Sequence, residues 1–85
     1  LLREVKGQTV NHIELLDVVA LLEDLPMHGL LRGQVGTVVE VLAPGVFEVE
    51  FSDDEGRTYA TLSLRSEQLI VLHHRPSQDV EHPAV

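Results

Sequence analysis

Three groups of residues in this 85-residue chain are of types that do chemistry: His28 beside Glu23 and Asp24, the carboxylates Glu40, Glu48 and Glu50, and the run Asp53, Asp54, Glu55. Histidine changes charge near neutral pH and suits acid–base work, with Glu23 or Asp24 to orient it. No serine, cysteine or second histidine stands at a spacing that completes such a site, so His28 reads first as a loop histidine bonded to backbone. Glycosidases pair carboxylates at roughly 5–9 Å, but nothing near the three glutamates builds a sugar cleft. Asp53-Asp54-Glu55-Gly56 lacks the twelve-residue ligand spread and closing bidentate Glu of a calcium loop, and reads as an acidic turn. His73, His74 and His82 have no metal-ligand spacing. The expectation is a non-enzyme: no catalytic residue, no metal and no cofactor.

Charge then narrows the partner. Fourteen Asp and Glu stand against six Lys and Arg, a formal net charge of −8. Only Arg32, Arg57 and Arg65 lie between residues 13 and 72, and three separated arginines do not make the basic stripe that neutralises phosphates. A basic or mixed protein surface is the electrostatically easier partner. The longest apolar run, Val18 to Leu22, is far shorter than the ~20 residues of a membrane span. With no cysteine in the chain, the expectation is a soluble cytoplasmic protein of one small domain.

The elements that must position these residues are strands. Residues 13–25 fit a short helix about as well as a strand, and the β-branched Val18 and Val19 favour a strand over Val18 to Glu23. Pro26, Gly29 and Gly33 punctuate a loop from Leu25 to Gly33. If Ala43-Pro44-Gly45 is a three-residue hairpin loop with Gly45 left-handed, Leu42 faces Val46, Val41 faces Phe47, Glu40 faces Glu48, Val39 faces Val49 and Thr37 faces Phe51. One face is then almost wholly apolar, and a one-residue slip would bring Glu40 into it. A loop over Asp53–Gly56 continues that face by pairing Ser52 with Arg57, Phe51 with Thr58, Val49 with Ala60 and Phe47 with Leu62. A 3₁₀ turn over 66–68 and a last strand over 69–72 complete five strands. With Gly36 where a barrel strand bends, they predict an all-β, five-stranded SH3-like barrel over 13–72, an open sheet being the alternative. Residues 1–12 are expected to be flexible and 73–85 to be a disordered tail.

That register sets Glu40 opposite Glu48 on the outer face, with Glu50 facing Tyr59 and with Val38, Leu42 and Val46 on the same parity. Like charges opposed across strands are destabilising. A sequence that keeps such a conflict beside an apolar strip has the pattern of a binding surface, for a partner or for self-association; a solvated face is the plainer account of the glutamates, and a covering loop or tail of the strip. The candidate contacts are Val38, Glu40, Leu42, Glu48, Glu50 and Tyr59, with His28 as a separate loop candidate.

Residues 16–72 closely resemble the small bacterial proteins grouped as domain-of-unknown-function family 4926. The resemblance lies in Glu23-Asp24-Leu25-Pro26 with His28-Gly29-Leu30, in Gly33-Gln34-Val35-Gly36-Thr37-Val38-Val39, and in Phe47-Glu48-Val49-Glu50-Phe51. It implies a stand-alone protein encoded beside another small gene, in the arrangement of an antitoxin or immunity protein with its toxin. Leu25 to Gly36 is also weakly similar to the SH3-like domain of nitrile hydratase beta subunits, which implies an accessory subunit. Barrels with a strand beginning like Gly33-Gln34-Val35-Gly36-Thr37-Val38 also occur in RNA- and ribosome-associated factors. The acidic balance, and Tyr59 as the sole candidate for stacking on a base, argue against that alternative.

Overall fold

The computed structural model describes residues 12–73. The expected flexible segment and tail lie outside these residues, apart from His12 and His73. Five strands form one antiparallel sheet: β1 (Val18–Leu21), β2 (Val35–Ala43), β3 (Val46–Ser52), β4 (Thr58–Arg65) and β5 (Leu69–Val71), in the spatial order β4-β3-β2-β1-β5. Two 3₁₀ turns join them, Pro26–His28 between β1 and β2, and Ser66–Gln68 between β4 and β5. Among the described residues no helix is long and apolar enough to cross a membrane.

The fold is all-β as expected, but the sheet is open and does not close into a barrel. Closure would pair β4 with β5, and the turn between them consumes the groups that pairing would start from. Gln68 Oε1 accepts the Arg65 N–H at 2.8 Å, and the Leu69 N–H donates to the Ser66 carbonyl. Gln68, the one buried polar side chain among the described residues, also donates through Nε2 to Glu23 Oε2 at 2.9 Å. The turn is thereby tied to the chain just beyond β1.

The sheet coils around a core of Ile13, Val19, Leu21, Leu30, Val38, Phe47, Val49, Phe51, Leu64 and Leu69. Strand alternation puts Val19 and Leu21 inward from β1, and Phe47, Val49 and Phe51 inward from β3. β2 does something a regular strand cannot. Val38 pairs with Val49 and Glu40 with Glu48, so Val39 is an extra residue on β2. This bulge reverses the parity of the strand: Gly36 and Val38 point inward before it, Val41 after it takes the face of its partner Phe47 while remaining exposed, and Glu40 stays outside. A second bulge at Leu42 brings Ala43 opposite Val46 across a tight Pro44-Gly45 turn. Gly45 has φ 75°, the left-handed conformation expected of it.

The pairings Val41–Phe47 and Glu40–Glu48 agree with the sequence reading. Those expected for Leu42, Val39 and Thr37 are corrected by the bulges, Thr37 pairing with Glu50 instead of Phe51. On the next hairpin Phe51 pairs with Ala60, Val49 with Leu62 and Phe47 with Leu64, two residues beyond the expected register, with Tyr59 bulged. A shift of two preserves every facing, which is why the inner face survives the error. The longer loop has a visible cause. Asp53 Oδ1 accepts the N–H of both Glu55 and Arg57 at 2.9 Å, which holds five residues, Asp53 to Arg57, between the strands.

Ahead of β1 the chain makes a tight turn. The Asp17 N–H donates to the Glu14 carbonyl at 3.1 Å and the Glu14 N–H to Asp17 Oδ2 at 2.8 Å. At its tip Leu16 has φ 72° and is 70% exposed. A branched side chain in this region is strained by about 1–2 kcal/mol, whereas glycine adopts it freely at a smaller entropic cost. Leu16→Gly is therefore expected to raise stability by about 0.5–1 kcal/mol, read as a higher thermal midpoint; an unchanged or lower midpoint would mean that the Leu16 side chain contributes packing its exposure does not suggest.

Candidate functional site

The outer face of the sheet is built in rows that follow from the pairing register. One row is Ser63, Glu48, Glu40 across β4, β3 and β2; the next is Thr61, Glu50, Thr37, Val18 across β4 to β1. The third, on β2, β1 and β5, is Val35, Ala20, Ile70. Glu40 and Glu48 are direct partners. Among the described residues the ion pairs are His12–Glu14, Arg57 with Asp53 and Glu55, and Arg65–Glu67. None reaches Glu40, Glu48 or Glu50, so three carboxylates share one face with no cation paired to them among the described residues.

The third row is apolar and continues into Leu22, which stands two residues beyond Ala20 and is exposed. Val35 and Ile70 are 46% and 44% exposed, and they flank the small Ala20 between them. The outer face thus has an acidic end on β2 and β3 and an apolar end on β2, β1 and β5, with Thr37 and Val18 between. The apolar end is absent from the sequence reading. Its signal was the unbroken run Val18 to Leu22 together with Leu69 to Leu72, since a strand apolar at every position presents apolar side chains to both faces.

The candidate residues separate accordingly. Glu40, Glu48 and Glu50 lie together on the outer face as expected. Val38 does not join them: it is fully buried against Val49, because the Val39 bulge turns it inward, and it is no surface contact. Leu42 is exposed at the second bulge. Tyr59 is half exposed but does not face Glu50, whose partner is Thr61. Its ring lies 6.5 Å from that of Phe51, and its hydroxyl accepts a hydrogen bond from Gln34 Nε2 at 2.8 Å.

His28 ends the first 3₁₀ turn, exposed, with its backbone N–H donating to the Leu25 carbonyl at 2.9 Å. The carboxylates expected to orient its ring are engaged elsewhere: Glu23 by Gln68, and Asp24 Oδ1 by the Arg32 N–H at 2.8 Å. Among the described residues no group of three or more His, Asp or Glu is arranged to hold a metal ion.

Asp53 is the clearest electrostatic feature of the acidic turn. Its carboxyl is held below the usual aspartate value, chiefly by the Arg57 N–H; desolvation opposes this, and the Glu55 N–H and the Arg57 side chain add to it. A depressed carboxyl stabilises the folded loop above the ordinary carboxylate range, and the contribution is lost as pH falls through the lower folded value. The Glu55 and Arg57 amide signals are expected to move in acid with a midpoint below that of a free aspartate, and Asp53→Asn to abolish the transition. A midpoint at the free value would remove the loop's dependence on this carboxylate.

A family model described as "Domain of unknown function (DUF4926)" matches residues 15–71, from the turn ahead of β1 to the end of β5. No curated protein and no solved structure matches the chain.

Proposed function

Because the chain belongs to the domain-of-unknown-function family 4926, whose description names no activity, its role rests on the geometry, and we propose that it is a non-enzymatic module that binds another protein. The single observation that carries this reading is the direct opposition of Glu40 and Glu48, with no cation paired to either among the described residues, on the same face as the exposed Val35 and Ile70 that flank the buried Ala20. A partner with basic residues around an apolar patch complements both ends of that face at once. Burying the apolar row supplies affinity, while the carboxylates steer and orient the encounter. The gene arrangement that the family resemblance implies makes a neighbouring gene product the natural partner, neutralised as an antitoxin or immunity protein neutralises its target. The absence of cysteine fits a cytoplasmic setting.

Reversing Glu40 and Glu48 together tests the reading. The double variant keeps like charges opposed, so its stability is expected to match that of the parent. Its capture of the partner from a lysate of the source cells is expected to weaken, and to lose most of its salt dependence. Capture that is equally strong and equally salt-sensitive in the variant would remove this face from the argument.

A further inference from the structure

Among the described residues β4 is one edge of the sheet, paired with β3 and with no other strand. Which of its backbone groups face outward follows from one bond. The Ser66 N–H donates to the Gly45 carbonyl at 3.0 Å, so Arg65 and Val46, the partners just inside that bond, are a pair whose own N–H and C=O groups do not meet. The alternation continues along the ladder. Leu64 with Phe47 and Leu62 with Val49 exchange bonds, whereas Ser63 with Glu48 and Thr61 with Glu50 do not. The backbone N–H and C=O of Thr61 and Ser63 therefore point away from the sheet. The next group in the series, the Arg65 N–H, is closed off by Gln68 Oε1.

Exposed edges are ordinarily blunted by lysine, proline or inward-pointing charge. The β4 sequence Thr-Tyr-Ala-Thr-Leu-Ser-Leu carries none of these before Arg65. We propose that this edge takes an extended segment of the partner protein by strand addition, a segment whose basic residues alternate with apolar ones. The proposal rests on the protein-binding reading above and specifies how the partner engages.

The alternation follows from the pleat. A strand added beside β4 lies roughly 10 Å from β3, two strand spacings away. Every second side chain stands on the outer face beside Thr61 and Ser63, which are short and uncharged. A lysine or arginine there extends its stem over them toward Glu50 and Glu48. The intervening side chains fall on the other face, beside Leu62 and Leu64, and are best apolar. A second copy of this chain is the occupant that charge opposes: each copy carries −8, and β4-to-β4 pairing brings two sets of Glu48 and Glu50 onto one continuous sheet.

The probe is a synthetic peptide of alternating lysine and valine, with a lysine–glycine peptide of equal charge as control, since glycine keeps the charge and removes the strand preference. Amide hydrogen exchange is followed on the full chain. The lysine–valine peptide is expected to slow exchange at Thr61 and Ser63 while leaving Leu62 and Leu64, already bonded to β3, as they were. Ser63→Pro removes an outward donor and no ladder bond, and is expected to weaken binding of that peptide by about tenfold or more. If Ser63→Pro does not fold, exchange in the unaltered chain decides alone.

Equal affinity for the two peptides, or binding without protection of Thr61 and Ser63, overturns strand addition. If such binding still depends on Glu40 and Glu48, the protein-binding face survives the loss of the edge; if it does not, both fall. Protection of Thr61 and Ser63 that rises with protein concentration in the absence of peptide makes the occupant a second copy and overturns the proposal.

Discussion

Replacing Gly36 with alanine is expected to cost about 2–3 kcal/mol, the upper part of the range for overpacking a well-filled core. Gly36 sits in β2 opposite Val19 and faces inward. A β-carbon there would lie 2.8 Å from Val49 Cγ1, 2.9 Å from the Glu50 carbonyl oxygen and 3.0 Å from Phe51 Cδ2. The valine methyl can turn aside. The carbonyl is backbone within β3, and the Phe51 ring is fully buried, so neither yields without moving a strand. The glycine is needed for close approach here, and serine is expected to be no better tolerated than alanine. Urea unfolding gives the measurement: a lower midpoint at unchanged slope marks lost stability. A midpoint equal to that of the parent would mean that β2 and β3 separate more easily than their pairing implies.

Truncating Phe51 to alanine is expected to cost more, about 3–5 kcal/mol, through lost burial and the cavity left behind. Domains this small sit toward the lower end of the usual ~5–15 kcal/mol stability. Much of the population of Phe51→Ala is therefore expected to be unfolded at room temperature, with collapsed amide dispersion in its spectrum. A well-dispersed spectrum at the parent's thermal midpoint would show that the core closes over the gap. The two sites are also coupled, because the Phe51 ring edge is one of the atoms that a β-carbon on Gly36 would strike. Combining Gly36→Ala with Phe51→Leu is expected to cost less than the sum of the two single changes.

The family match, over residues 15–71, covers the resembling segment 16–72 as far as Val71. Within it, legibility followed the local physics. The Glu40–Glu48 opposition and the Ser66–Gln68 turn are readable because each depends on a few neighbouring residues, and so is the reversal at Pro44-Gly45, although it is a two-residue turn and not the expected three-residue loop, since Ala43 pairs with Val46. The β3–β4 register was wrong by two, yet its faces were right, since a period-two pattern cannot distinguish registers that differ by an even number. Val38 was misplaced for the complementary reason. A bulge at Val39 reverses parity, and Val38-Val39 offers two equivalent valines for the inward position with nothing local to choose between them. The sequence predicts a closed barrel where the sheet is open, because alternation along the strands does not report where the connecting turn spends its hydrogen bonds, here at Gln68 and Ser66. The outer apolar row was missed because β1 is apolar throughout and conceals which of its side chains face out.

The strand order has a consequence in time. β2, β3 and β4 form a meander of consecutive hairpins, closed over short loops, while β1 lies between β2 and a strand it meets only through Val19 with Val71 and its neighbours. Contacts so distant along the chain are entropically slow to form, and topologies that rely on them fold slowly. When the chain is synthesised from its first residue, β1 emerges first and is completed last. Val19 and Leu21 wait for Leu69, and the core stays open on that side until nearly the whole described chain has been made.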